Sequence, residues 1–257
     1  MAGKCAICNA EMEKAIKLEV LGKHEAQFQK CHACGLLAAE DPHWLEEAYA
    51  SPITAQDTGL LERNWSLMRQ LCVIIENYFD AKGRYLDYAG GYGITTRLMR
   101  NLGLEFYHHD PYCENIFASG YEWDTEFKVD LISSAECMEH VTDPLEFLLK
   151  LKQKANAIAI TTTLLPEPVP EESWWYYAPQ HGQHICFLER RTLEALGKKI
   201  KMHVVSYKSM HLFSKSRIES GRFERLMKNT NRPGLFTRKS QYEKSKKRLK
   251  RKISMGV

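Results

Sequence analysis

Short apolar runs and amphipathic segments alternate along the second half of the chain. RYLDY, LEFYHH, VDLISSA and AIAIT have the length and composition of strands, and ITTRLMR, DPLEFLLKLKQK and RTLEALGKKI carry apolar residues at helical spacing. MHVVSYKSMHLF completes the series as two closing strands. Strands that alternate with helices form a parallel sheet covered on both faces. We therefore predict an α/β domain over residues 82–215.

The segments on either side of this domain have helical patterns. An acidic stretch, HWLEEAYA, and a longer amphipathic stretch, LERNWSLMRQLCVIIENYF, predict a helical linker over residues 41–81, with a loop at Pro52 and Gly59 between them. Residues 216–257 are predicted to be a basic tail, helical or disordered, interrupted by a loop at NTNRPG.

Composition adds a location and a charge asymmetry. Of 257 residues, 44% are hydrophobic and 26% charged, as in an ordinary globular protein. The chain has neither the apolar run of a signal peptide at its start nor about 18 consecutive apolar residues, so we expect a cytoplasmic protein without a spanning helix.

The net charge of +4 is concentrated between Arg238 and Lys252, where the chain has nine basic residues and one acid. This segment is expected to be a solvated end, with phosphate or anionic lipid as the alternative contacts.

Two CxxC pairs near the start of the chain indicate a metal site formed by Cys5, Cys8, Cys31 and Cys34. Four thiolates on two turns can enclose Zn²⁺ tetrahedrally, and they leave no open position for catalysis. Residues 1–40 have little apolar mass, so metal binding would supply folding energy. A structural zinc ribbon is the prediction, and disulfides or a redox CxxC are the alternatives.

A glycine turn follows the first strand of the α/β domain, in the sequence LDYAGGYG. Glycine permits tight turns and close approach of a ligand to the backbone, and open α/β sheets bind ligands at this end of a strand. Asp110 closes the next strand, 17 residues after Gly93, where a carboxylate can bind ribose hydroxyls. The third glycine of a dinucleotide-binding GxGxxG is missing. Asp87 would repel a pyrophosphate but attract the ammonium group of S-adenosylmethionine (SAM), so SAM is the predicted cofactor.

At these residues the sequence resembles the class I SAM-dependent methyltransferases, in particular the methyltransferase-23-like subgroup from glycan gene clusters with an N-terminal four-cysteine zinc ribbon. DYAGGYG matches the first family motif with Ala89 at a glycine position, and VDLISSAECMEHVTDP resembles the fourth-strand motif of a large subgroup of the family. The resemblance covers residues 82–215 and implies a Rossmann-like sheet. With the glycine turn it predicts a cofactor site made of Asp87, Ala89, Gly90, Gly91, Gly93, Asp110, Pro111, Tyr121, Ser134 and Glu136.

A long insertion after the strand AIAIT is the predicted substrate region. It contains four consecutive aromatic residues, Trp174 to Tyr177, followed by the sequence HGQH. Aromatic faces suit sugar rings, bases and other flat groups. The segment resembles a stretch of glycan-cluster methyltransferases, except that Glu189 replaces a serine. His181, His184 and His140 are the candidates for a general base. An alternative role for His140 is to cap the helix after the fourth strand.

These features predict a SAM-dependent methyltransferase that acts on a small molecule or glycan acceptor, with O-methylation favoured over C-methylation. The zinc module and the basic tail keep an RNA methyltransferase as the first alternative. A non-catalytic SAM-binding or zinc scaffold protein is the second. The absence of an Asn/Asp-Pro-Pro-aromatic motif after the fourth strand argues against the adenine-N6 enzymes.

Overall fold

The N-terminal residues form a small antiparallel sheet in the computed structural model, which describes residues 3–50, 58–124, 127–230 and 240–255. The first two strands make a hairpin, and the third pairs with the second. These strands are β1 (Glu13–Val20), β2 (His24–Lys30) and β3 (Leu37–Ala39). The two CxxC pairs lie outside the strands, one in the turn before β1 and one in the turn between β2 and β3.

Two helices separate this sheet from the next strand. The first, α1 (Leu45–Ala48), has only four residues, so the acidic stretch forms a much shorter helix than its pattern suggested. The second, α2 (Leu60–Tyr78), covers the predicted amphipathic stretch. The predicted loop at Pro52 lies outside the described residues, as does NTNRPG from Asn231 onward.

The central sheet has six strands: β4 (Arg84–Tyr88), β5 (Glu105–His109), β6 (Val129–Ala135), β7 (Ala155–Thr161), β9 (His203–Tyr207) and β10 (Met210–Ser214). Their order in the sheet is β5-β4-β6-β7-β10-β9. The first four strands in this order are parallel, and β10 is antiparallel to both of its neighbours. The predicted α/β fold and its two closing strands are therefore confirmed.

Consecutive strand residues point to opposite sides of the sheet. Because the residues on both sides are apolar, helices cover both faces. Tyr85 and Leu131 pack with residues of α2, and Leu86 and Ile132 belong to the core on the other face. The helices after α2 are α3 (Ile94–Arg100), α4 (Pro144–Lys154), α5 (Arg190–Ile200), α6 (Ser220–Lys228) and α7 (Gln241–Met255). No described helix combines the length and apolar character that a membrane crossing requires.

The small sheet and the central sheet are linked by a strand from the insertion. This strand, β8 (Cys186–Phe187), pairs with β3, so a segment of the 82–215 region completes the N-terminal sheet. One continuous core contains Phe28 of β2, Phe187 of β8 and Ile158 of β7. Side chains of the predicted zinc ribbon and of the predicted catalytic domain are thus buried together.

Candidate active site

The turn after β4 places Asp87 at the base of the candidate cofactor site. Asp87 is buried, and its Oδ1 accepts a hydrogen bond of 2.7 Å from the Ser133 hydroxyl of β6. Burial, with a smaller effect of the Asp110 charge, raises the pKa of Asp87 to about 7. A cationic group beside this carboxylate would favour its ionised form. The ammonium of a SAM methionine moiety fits this requirement.

The glycine turn is constrained both by its neighbours and by its backbone conformation. A Cβ on Gly90 would lie 2.7 Å from Asp87 Oδ2 and 2.8 Å from His108 Nδ1, so this position has no space for a side chain. Gly91 and Gly93 have φ angles of 57° and 84°, in the left-handed region that glycine adopts readily. Ala89, at the position where the family motif has glycine, also has a positive φ of 57°.

Asp110 at the end of β5 organises the neighbouring loop. Its Oδ2 accepts from the Gly91 amide at 2.8 Å, and its Oδ1 accepts from the amides of Tyr112 and Cys113 at 2.8 and 2.9 Å. A carboxylate has about four acceptor positions. These three bonds therefore leave room for one further donor, such as a ribose hydroxyl, without rearrangement.

The glycine turn and the insertion face each other across a cavity of about 1450 Å³. Its lining combines seven of the predicted cofactor residues with all three candidate histidines: Asp87, Ala89, Gly90, Gly91, Asp110, Pro111, Glu136, His140, His181 and His184. A cavity of this size is large enough for a cofactor and an acceptor together.

Three predicted cofactor residues are absent from the described lining of this cavity: Gly93, Tyr121 and Ser134. Gly93 is the N-cap residue that precedes α3. Tyr121 has its ring under the Arg100 guanidinium, 3.5 Å from the ring centre. Ser134 is buried on the side of β6 opposite to Ser133. Ser133, whose hydroxyl contacts Asp87, is also absent from the described lining of the cavity.

The aromatic insertion supplies both a surface and a buried polar centre. Trp175 lines the cavity with 71% of its surface exposed. The Tyr176 hydroxyl is buried; it donates to Glu139 Oε1 at 2.6 Å, lies 3.3 Å from Glu136 Oε2 and accepts from the Thr163 amide. Burial and the nearby Glu136 charge raise the pKa of Glu139 to about 8. The sequence indicates Tyr176 only as one of four consecutive aromatic residues and gives no role to Glu139, because their polar partners are distant in the chain.

The three histidines differ in their surroundings. Burial lowers the pKa of His140 to about 3, and burial also lowers that of His184, so both rings are neutral near pH 7. His140 Nδ1 lies 3.0 Å from the Tyr49 hydroxyl, and His184 Nδ1 donates to the Tyr176 carbonyl at 2.7 Å. His181 lies in the turn between Ala178 and β8 and lines the cavity.

His140 does not cap the helix after the fourth strand. The carboxylate of Asp143 performs this role, since its Oδ1 accepts from the Leu145 and Glu146 amides at 2.9 Å. His140 ends a short 3-10 turn, Met138–His140, that precedes the cap.

The four cysteines of the CxxC pairs converge at one point. All are free thiols, and the four Sγ atoms lie within 4.8 Å of one another. The Cys5–Cys34 and Cys8–Cys31 pairs are 3.5 and 3.4 Å apart. Four thiolates around Zn²⁺ would be about 3.8 Å apart. A hydrogen bond from Cys34 lowers the pKa of Cys5 to about 5, which favours a thiolate in the cluster. This four-cysteine cluster has the ligands and spacing of a metal site.

Glu189, which replaces a serine in the resemblance, lies outside the described lining of the cavity. It forms a buried ion pair with Lys30 of β2, and Arg191 contacts its second oxygen. The substitution therefore belongs to the contact between the four-cysteine module, residues 3–39, and α5.

Comparison with known proteins gives a family. The model of a methyltransferase domain family matches residues 63–207, more than half of the chain. No curated protein matches the chain. The chain therefore belongs to the methyltransferase domain family, within the class I SAM-dependent methyltransferases. The class predicted from the DYAGGYG motif is confirmed, and an enzyme is favoured over a non-catalytic scaffold.

Three methyltransferases are among the solved structures to which this chain is similar. A calicheamicin-biosynthesis methyltransferase with bound SAH is 13% identical, with 58% of this chain and 54% of that chain covered and a TM-score of 0.42. An O-methyltransferase family 2 protein from Planctomyces limnophilus in complex with apigenin is 13% identical over 66% of each chain, with a TM-score of 0.45. Human N-acetylserotonin methyltransferase in complex with SAM is 15% identical over 68% and 66%, with a TM-score of 0.41. The chain spans about half of the calicheamicin enzyme's length.

Proposed function

We propose that the protein transfers a methyl group from SAM to a hydroxyl of a small molecule or glycan. One observation carries this proposal: a single cavity joins the glycine turn and Asp110 to the aromatic and histidine residues of the insertion. SAM supplies an electrophilic methyl group on a sulfonium. The chain supplies Asp87 for the ammonium group, Asp110 for a ribose hydroxyl and a flat contact surface at Trp175 for a ring.

Among the three histidines, His181 is our choice for the general base. A neutral alcohol is a poor nucleophile, and a base improves it most when its pKa is near the working pH. The low pKa of His140 makes that ring a weak base. His184 is also shifted downward, and its Nδ1 is already committed to the Tyr176 carbonyl.

Cofactor choice is tested by calorimetry with SAM and with NAD⁺. We expect binding of SAM only, because Asp87 is placed to attract an ammonium and to repel a pyrophosphate. Binding of NAD⁺ in preference to SAM would contradict the assignment. Transfer of an isotope-labelled methyl group into a panel of nucleotide sugars, small phenols and RNA then identifies the acceptor.

An RNA acceptor remains the second candidate, on the basis of the basic tail. Two observations favour a small acceptor instead. No residue of α7 is among the described residues that line the cavity, and α7 packs on α2, where Arg248 and Lys252 surround Glu76. Labelling of RNA but not of small molecules would reverse this preference.

We further propose that the four-cysteine cluster holds one structural Zn²⁺. The cluster contains four sulfur ligands and no open position, which is typical of structural zinc. Metal analysis of the full chain should find about one zinc per molecule. A Cys5→Ser/Cys8→Ser variant should lose it, and Cys113→Ser, which changes a thiol outside the cluster, should keep it.

A further inference from the structure

A second group of metal-type ligands lies at the cavity, apart from the cysteines. Ligand atoms of Glu139, His140 and His184 are within 4.8 Å of one another. Both histidines line the cavity, and Glu139 is completely buried behind them. One carboxylate and two imidazoles are a common ligand set for divalent transition metals, and three protein ligands leave further positions open.

One oxygen of the Glu139 carboxylate is poorly satisfied. Oε1 accepts from the Tyr176 hydroxyl, and the Thr162 hydroxyl and the Glu139 amide also stabilise the carboxylate, whereas Oε2 is buried without a well-formed hydrogen bond among the described residues. An unpaired buried carboxylate oxygen is costly, and a bound cation removes that cost. Glu136 adds a second carboxylate 3.3 Å from the same Tyr176 hydroxyl, so the local charge also favours a cation.

Each of the two histidine rings has a hydrogen bond at one ring nitrogen, as histidine ligands of metals usually do. Such a ring generally forms a hydrogen bond through its other nitrogen to a carbonyl, carboxylate or similar group, which fixes its tautomer and orientation. His184 donates from Nδ1 to the Tyr176 carbonyl, and this leaves Nε2 with its lone pair. His140 is oriented by the Tyr49 hydroxyl at its Nδ1 and by a hydrogen bond to the Gln183 main chain. The rings lie edge to face with centres 4.9 Å apart.

We propose that Glu139, His140 and His184 bind a divalent transition metal ion, of the Mn²⁺ type, whose open positions face the acceptor. The binding site stands on its own geometry, and its role rests on the proposed function. A hydroxyl bound to such an ion has a lowered pKa. Its O–H bond would then break more readily, with the proton passing to His181 and the electron pair remaining on oxygen. This oxygen would bond to the methyl carbon of SAM while the methyl–sulfur bond breaks, and S-adenosylhomocysteine would leave as a neutral thioether with that electron pair on sulfur.

Titration with Mn²⁺ alone tests the site. The sample is the full chain with its zinc content measured, without SAM or acceptor, and the signal is the electron spin resonance of free Mn²⁺. Mn²⁺ prefers oxygen and nitrogen ligands, so the four-cysteine cluster does not compete for it. We expect one bound Mn²⁺ per chain. Glu139→Gln and His184→Gln should each weaken binding by about 100-fold or more, and Tyr176→Phe by about 10–100-fold.

His181→Gln is the matched control, since His181 lines the same cavity but lies outside the ligand group. It should retain Mn²⁺ affinity, and thermal unfolding of every variant checks folding. No binding by the wild-type chain, or equal binding by the Glu139 and Tyr176 variants, would overturn the proposed site. Loss of binding in His181→Gln would overturn the ligand assignment. SAM calorimetry is a separate measurement, so failure here is distinguishable from failure of the proposed function.

Discussion

At the scale of the residue, the ionisation of Asp87 should make the affinity for the cofactor depend on pH. Its pKa is raised to about 7 by burial, and only the ionised form attracts an ammonium group. SAM affinity should therefore fall as the pH decreases below about 7, by up to about tenfold per unit, because Asp87 takes up a proton. Calorimetry between pH 5 and about 7.5, where the α-amino group of SAM is still mostly protonated, measures this change.

Two controls isolate Asp87. The ligand 5′-methylthioadenosine lacks the amino-acid part of SAM, so its affinity should not follow this pH dependence. In Asp87→Asn, SAM binding should be weak and independent of pH over the same range. A pH dependence that persists in Asp87→Asn would assign the effect to another group.

Gly90 is the glycine at which the chain has least room. In Gly90→Ala the new Cβ would meet Asp87 and His108, both of which are buried. We expect a loss of about 1–3 kcal/mol in the free energy of unfolding and a weaker SAM complex. Urea unfolding and calorimetry measure the two effects. Gly120→Ala is the comparison: its Cβ would have nothing within 4 Å, so it carries only the cost of a positive φ and should leave SAM binding unchanged.

At the scale of elements, α7 is a packed helix rather than a solvated end. Leu249 is buried in the core under α2, and the Ser245 hydroxyl donates to Glu76 of α2 at 3.2 Å. Leu249→Ala should lower the free energy of unfolding by about 2–5 kcal/mol. Lys250→Ala, on the exposed side of the helix, should change it by less than about 0.5 kcal/mol. Equal effects of the two substitutions, measured in urea, would show that the helix does not dock in solution.

Most strands and helices could be predicted from the sequence, because the pattern of hydrophobic residues that identifies each element is local. The strands of residues 84–214 outside the insertion appear in the sequence as short apolar runs, and the helices as apolar residues at helical spacing. The tail was less predictable, since its charge suggested exposure and only the position of Leu249 against α2 shows burial. The pairing of β3 with β8 joins residues about 150 positions apart, and no local pattern contains that information.

The same distinction holds for the candidate site. The glycine turn, Asp87 and Asp110 belong to short motifs on adjacent strand ends, so the sequence located them. Ser134 stays a prediction from the resemblance: it is buried on the side of β6 opposite to Ser133 and lies outside the described lining of the cavity. The Glu139–His184 group depends on how the insertion folds back, and this is a property of the tertiary structure.

At the scale of the whole molecule, the four-cysteine module is built into the enzyme. Lys30 and Glu189 form a buried ion pair between β2 and the start of α5, and Lys30 also donates to the Gly35 carbonyl at 3.0 Å. The Thr192 hydroxyl donates to the Cys34 carbonyl at 2.8 Å. The turn that carries the second CxxC pair is thus held by α5. Loss of metal and unfolding of the α/β domain should be one event.

Lys30→Ala tests this coupling. Removing one partner of a buried ion pair leaves the other uncompensated and typically costs about 3–5 kcal/mol; Arg191 still contacts Glu189, so we expect a cost of about 3 kcal/mol, at the lower end of that range. In urea, zinc release followed by a chromogenic chelator and tryptophan fluorescence of the α/β domain should shift together to lower urea. Lys14→Ala, an exposed lysine of β1, should shift neither signal.

If zinc were released in a separate, earlier transition that alone responded to Lys30→Ala, the module would be an independent domain. The shared β3–β8 edge and the common core argue for a single transition, because the module cannot unfold without exposing Phe187 and its neighbours.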